Sequence, residues 1–150
     1  MSRVVDVATE SVRIPVSRSR VAQLTDRVLR AEGVRDAALS VTFVSDRRIA
    51  ALNWQHLRHR GPTDVISFGF ERAWKDAPLT GDIYIAPDVA RRNARVAGRG
   101  MREELLRLVV HGVLHVLGHD HPEGEARYES PMWRRQEALL DAELHGESVA

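Results

Sequence analysis

The stretch from His111 to Gly118 and His121, written H-x-x-x-H-x-x-G-x-x-H, restricts the fold of this chain more than any other part of it. Apolar residues recur at helical spacing from Met101 to Leu117, so His111 and His115, four apart, project from one face of a helix. Gly118 stands where that helix must stop, because glycine accepts the left-handed turn that ends one. The chain then folds back and returns His121 to the same point. Any fold that satisfies this segment buries a long helix and leaves its last turn open on one side.

Three converging imidazoles predict a metal centre. The chain has no cysteine, so disulfide pairing is excluded and a metal must be held by histidine or carboxylate. Three His ligands leave one position of a tetrahedral zinc open, as in catalytic rather than structural sites. The expectation is one zinc ion per chain on His111, His115 and His121. Such an ion lowers the pKa of its water to about 7. Its affinity is expected to fall below about pH 6, where imidazoles protonate. A lone helical histidine is usually packed or solvated, and a pair at i and i+4 arises readily by chance. Four of the seven histidines within eleven residues, with a glycine at the helix end, are not explained that way.

The same spacing is that of the metzincin proteases, with Met132 downstream as their methionine. Those enzymes carry a glutamate general base directly after the first histidine. This chain has Gly112 there, and glycine takes no proton. The metalloprotease is therefore the rival reading, and another hydrolysis is favoured.

Along the rest of the chain the elements run β-α-β-α-β-β-α-α-α. Val4–Ala8 alternates as an edge strand. Ser17–Glu32 is an amphipathic helix stopped by Gly33, and Ala38–Val44 is a strand. Ser45 caps a helix running through Asn53; Asp64–Phe70 and Asp82–Ala86 are short strands around a loop. Pro87 opens a helix closed by Gly98 and Gly100, and the last helix runs from about Pro131 to Leu144. The fold class is α+β: a small mixed sheet packed by about five helices in one domain, residues 1–150, with the metal site on a late helix and the turn after it.

Charge is unevenly spread. Residues 111–150 hold three arginines against eight acids, a net −5, which leaves +6 on the first 110 residues. Arg91, Arg92, Arg95, Arg99 and Arg102 follow one another with no acid between Asp88 and Glu103. On one helix Arg91, Arg95 and Arg99 form a stripe suited to a phosphate backbone, although a solvated face is the ordinary meaning of such a run. No stretch approaches the roughly 18 apolar residues of a membrane helix, and the N-terminus has no signal-peptide core. The expected location is the cytoplasm, with no membrane partner.

His111-Gly-Val-Leu-His115-Val-Leu-Gly118-His-Asp-His121, preceded by Glu103-Glu104-Leu105, resembles the signature of the YbeY family of bacterial endoribonucleases and ribosomal RNA maturation factors. The likeness continues through Val44-Ser45-Asp46, Leu52-Asn53, Pro62-Thr63-Asp64-Val65-Ile66-Ser67-Phe68, Gly81-Asp82-Ile83 and Met132 with Gln136-Glu137. It implies a metal-dependent, single-strand-specific endoribonuclease acting on the 3′ end of small-subunit (16S) ribosomal RNA and in ribosome quality control. Its partners would be that RNA and the small subunit. The family's metal ligands fall on His111, His115 and His121. Its RNA-cleaving arginine falls on Leu57, and the adjacent Arg58 is the expected replacement. A ribosome assembly factor with structural zinc is a second rival.

Among the remaining residues, Asp120 is expected to cap the turn after Gly118 or to orient a ligand imidazole. His119 is expected to point away from His121. Glu104 falls on the ligand face and is expected in a structural ion pair. The resemblance places Thr63, Asp64 and Ser67 along the cleft. Met132 and Trp133 are expected in the core.

Overall fold

In the computed structural model, which describes residues 2–146, serine side chains cap the starts of three helices. Ser17 Oγ accepts the Arg20 N–H at 3.0 Å and opens α1 (Arg18–Ala31), and Ser45 Oγ accepts the Arg48 N–H at 3.2 Å and opens α2 (Asp46–Leu57). Pro87 starts α3 (Pro87–Ala97), which Gly98 ends at a φ of 67°. Then follow α4 (Met101–Val116) and α5 (Pro131–His145), the latter capped by Ser130.

The strands β1 (Arg3–Thr9), β2 (Ala37–Phe43), β3 (Val65–Phe70) and β4 (Leu79–Ile85) form one mixed sheet in the order β1-β2-β4-β3. β1, β2 and β4 are parallel, and β3 runs antiparallel to β4 at the far edge. Helical crossovers through α1 and α2 make the parallel pairing possible. β1 takes the expected edge position. The α+β class holds, with two differences from the sequence reading. β4 begins at Leu79 rather than Asp82, because Leu79 pairs with Ala37 at the start of β2. A short 3₁₀ turn, Gly124–Glu129, has no apolar periodicity to announce it.

The core is organised around α4. Leu105, Val109, Val110, Val113 and Leu114 are fully enclosed between the sheet and helices α1, α3 and α5. Two close approaches seat this helix. A Cβ on Gly112 would lie 2.7 Å from Ile83 Cγ2 on β4. Gly69 and Gly81 face each other across the β3–β4 pair, and a Cβ on Gly81 would lie 2.6 Å from Val116 Cγ1 and 2.8 Å from the Phe68 carbonyl oxygen. Bare backbone at these points lets the last turn of α4 rest on the hairpin.

Candidate metal centre

The end of α4 builds the site. The Gly118 N–H donates to the His115 carbonyl at 3.0 Å and the His119 N–H to the Leu114 carbonyl at 3.0 Å, with Gly118 at a φ of 97°. This paired closure satisfies the last helical carbonyls and reverses the chain. It delivers His121 beside the two helical histidines, as the sequence predicts. The His111, His115 and His121 rings stand 4.6 to 5.2 Å apart between centroids, with one ligand atom of each within 4.8 Å of the others.

Each ring is fixed by a carbonyl oxygen on its inner nitrogen. His111 Nδ1 meets Gln136 Oε1 at 2.6 Å, His115 Nδ1 meets the His119 carbonyl at 3.0 Å, and His121 Nδ1 meets the Pro122 carbonyl at 2.9 Å. A carbonyl oxygen only accepts, so all three imidazoles carry their proton on Nδ1. Every Nε2 lone pair is thereby left free for a metal. Three neutral nitrogens with no thiolate or carboxylate fit zinc, with one position left for water. The turn that stops α4 thus also supplies the oxygen that orients His115.

Gln136, only 1% exposed, is itself held: its Nε2 donates to Glu137 Oε2 at 3.1 Å, which fixes the sense of the amide. Glu137 is gripped by Arg107, whose Nε and Nη2 lie 3.0 Å from its two oxygens, and Arg107 Nη1 donates to Glu104 Oε2 at 3.0 Å. Glu104 is accordingly in the structural ion pair the sequence suggests. Burial disfavours charge on the histidines. The His111 pKa is lowered chiefly by burial, and His115 is brought down to about 4 by burial and the neighbouring His111 and His121 charges.

A cleft of about 390 Å³ opens beside these rings, lined by His111, His121, Asp64, Glu104, Arg99 and Arg127 among others. Asp64 faces it with a carboxyl raised above its usual range by burial. The Thr63 hydroxyl lies 3.5 Å from that carboxylate, but neither Thr63 nor Ser67 lines the cleft. Met132 is buried as expected, yet it and Trp133 also form part of the cleft wall. His119 turns away to Glu32, Nε2 to Oε1 at 3.3 Å. Asp120 Oδ1 accepts the His121 N–H at 2.8 Å, the turn-capping role.

The structure places two groups of arginines differently from the sequence expectation. Arg58 is the left-handed cap of α2, with a φ of 56°, and does not line the cleft. Its guanidinium and that of Arg60 each lie 5.4 Å from the centre of the Trp54 ring, which draws both away by cation–π attraction. The stripe of Arg91, Arg95 and Arg99 is also broken. Gly98 ends α3, so Arg99 lies beyond the helix, where it lines the cleft and approaches Glu104 at 3.5 Å. On α3 it is Asn93, Val96 and Ala97 that face the cleft; Arg91 and Arg95, each roughly 160° round the helix from Asn93, do not line it. Arg91 pairs there with Asp88 at 2.7 Å. Gln136 is the functional residue that periodicity does not disclose.

The metzincin alternative meets a steric objection. Position 112 points into the sheet against Ile83, so a glutamate there would be forced into the core rather than toward the metal.

Comparison with known proteins agrees with the geometry. The family model for Endoribonuclease YbeY matches residues 6–143. Endoribonuclease YbeY of Frankia alni is 40% identical over 145 residues, 89% of this chain and 79% of its own. The protein of that name from Thermobifida fusca is 38% identical over 144 residues, 91% of each chain. A solution structure from Thermotoga maritima superposes with a TM-score of 0.63 at 26% identity, covering 96% of this chain and 91% of its own. The chain belongs to the endoribonuclease YbeY family.

Proposed function

We propose that the chain is a zinc-dependent, single-strand-specific endoribonuclease that matures the 3′ end of small-subunit ribosomal RNA and acts in ribosome quality control. One observation carries the metal part of this reading: each of three imidazoles has its Nδ1 committed to a carbonyl oxygen and its Nε2 free beside an open cleft. Membership of the family supports RNA as the substrate. The ribosomal site and the small subunit as partner rest on the resemblance alone. No helix among the described residues is long and apolar enough to cross a membrane, and we assign the protein to the cytoplasm.

Zinc bound here would supply a Lewis acid and a water acidified to a pKa of about 7. Around it, Gln136, His119 and Pro122 hold the ligand rings by their carbonyl oxygens, and the Arg107–Glu137 pair keeps Gln136 in place. Asp64, whose carboxyl binds a proton more readily than usual, is suited to take up the proton released when water adds to phosphorus. Arg91 and Arg95 lie off the cleft, so their replacement by Ala is expected to leave cleavage within about twofold of the parent, because solvated charges far from the reacting phosphate are screened.

The test is single-turnover cleavage of a single-stranded RNA carrying the small-subunit 3′ sequence. Chelator should abolish cleavage and zinc restore it. A folded His115→Ala protein that cuts as fast as the parent would refute the reading. An assembly factor with structural zinc would bind the RNA and leave it intact.

A further inference from the structure

We propose that Arg127, in the 3₁₀ turn beyond the last histidine, is the cation that binds the RNA phosphate in the cleft, the part the resemblance assigns to Arg58. This rests on the endoribonuclease reading above. Arg127 lines the same cleft as His111 and His121, whereas Arg58 stacks on Trp54 outside it.

Three arginines reach the cleft, and two are committed. Arg107 is held by Glu103, Glu104 and Glu137, and Arg99 approaches Glu104 at 3.5 Å. Among the described residues no carboxylate oxygen comes within 4.0 Å of the Arg127 guanidinium, so its charge is left for a ligand. It is nonetheless positioned. Its guanidinium carbon lies 5.1 Å from the centre of the Tyr128 ring, and Nη2 donates to the Tyr128 hydroxyl at 3.3 Å. Tyr128 packs edge-on against Trp133 with ring centres 4.7 Å apart. From the backbone side, Ser130 Oγ donates to the Arg127 carbonyl at 2.6 Å while capping α5.

The field of Arg127 reaches into the cleft that it lines together with His111, His121 and Asp64. A phosphodiester lying between the histidines and Asp64 would lie within that field. As water adds and the leaving oxygen departs, the phosphate carries added negative charge, and a planar two-pronged donor stabilises it. No bond to Arg127 forms or breaks. Its part is electrostatic.

Zinc-loaded parent, Arg127→Gln, Arg127→Lys and Arg58→Gln proteins are compared in single-turnover RNA cleavage and in binding of a fluorescent single-stranded RNA, with zinc content measured throughout. Arg127→Gln should slow cleavage on the order of 100-fold with full zinc content. It should also weaken binding and lower the slope of log affinity against log salt by about one. Arg127→Lys should recover part of the loss, which a merely structural arginine would not require. Arg58→Gln should stay within about threefold of the parent, as expected for a charge outside the cleft. An Arg127→Gln protein within that margin, in a parent that cleaves with zinc, overturns this proposal and leaves the zinc reading standing. A parent that does not cleave overturns the zinc reading; Arg127 is then judged by binding, and an unchanged salt slope overturns it as well.

Discussion

Gln136 touches no metal position, yet among the described residues its Oε1 is the sole hydrogen-bond partner of His111 Nδ1. Replacing it with Leu keeps the bulk in the core and removes the acceptor. Zinc affinity should drop about 10- to 100-fold, measured by competition with a chromophoric chelator; an undiminished affinity would show that packing alone holds the ring. Proton binding gives a second expectation. Metal-free folded protein keeps His115 neutral down to about pH 4, whereas the unfolded chain accepts that proton near 6.5. The unfolded state therefore binds more protons in this interval, and stability falls as pH drops through it. Above pH 6.5 both states are neutral and the dependence vanishes. Denaturant midpoints of the metal-free protein from pH 7.5 to 4.5 test this, and a His115→Ala protein should show a shallower decline. The ligands themselves were legible because His111, His115, Gly118 and His121 lie within eleven residues, where helical geometry dictates direction. Gln136 was not, since it lies 25 positions further along the chain from His111. The position of Arg58 was not legible, because cation–π attraction to Trp54, one turn earlier, leaves no mark in spacing.

Helix limits could be read closely from Ser17, Ser45, Pro87, Gly98 and Pro131, because caps and breakers act through neighbouring backbone alone. The start of β4 and the 3₁₀ turn could not, since the first depends on pairing with β2 and the second on Ser130 and the α5 cap. Nor does sequence show why Gly81 is glycine. Its φ is not in the left-handed region, so the need is for space beneath Val116. Gly81→Ala should destabilise the protein by about 1–3 kcal/mol. Since the displaced element is the last turn of α4, zinc affinity should fall with it. Thermal melts and zinc titration on the same protein check both; a full-affinity, parent-like melt would mean that Val116 and the Phe68 carbonyl yield without moving the helix.

At the level of the whole molecule, zinc binding and folding are linked, because the unfolded chain does not present His111, His115 and His121 together. With free zinc at about 100 times its dissociation constant, the native state gains about 2.7 kcal/mol. Chelator should lower the melting temperature of the parent but not of His115→Ala. The acidic final 40 residues contribute Arg127 to the cleft, while the basic first 110 supply Arg99; the charge asymmetry visible in the sequence therefore says little about where RNA lies. The reversal at Gly118 has one more consequence. Everything before it is in strict phase, for one residue added within α4 ahead of His111 rotates the ligand pair by about 100° against the sheet. Between Pro122 and Ser130 no such phase exists, because the last ligand has already been delivered. A change of length there leaves the three ligands in register, so the wall that Arg127 and Tyr128 give the cleft can vary while the imidazoles beneath it stay in place.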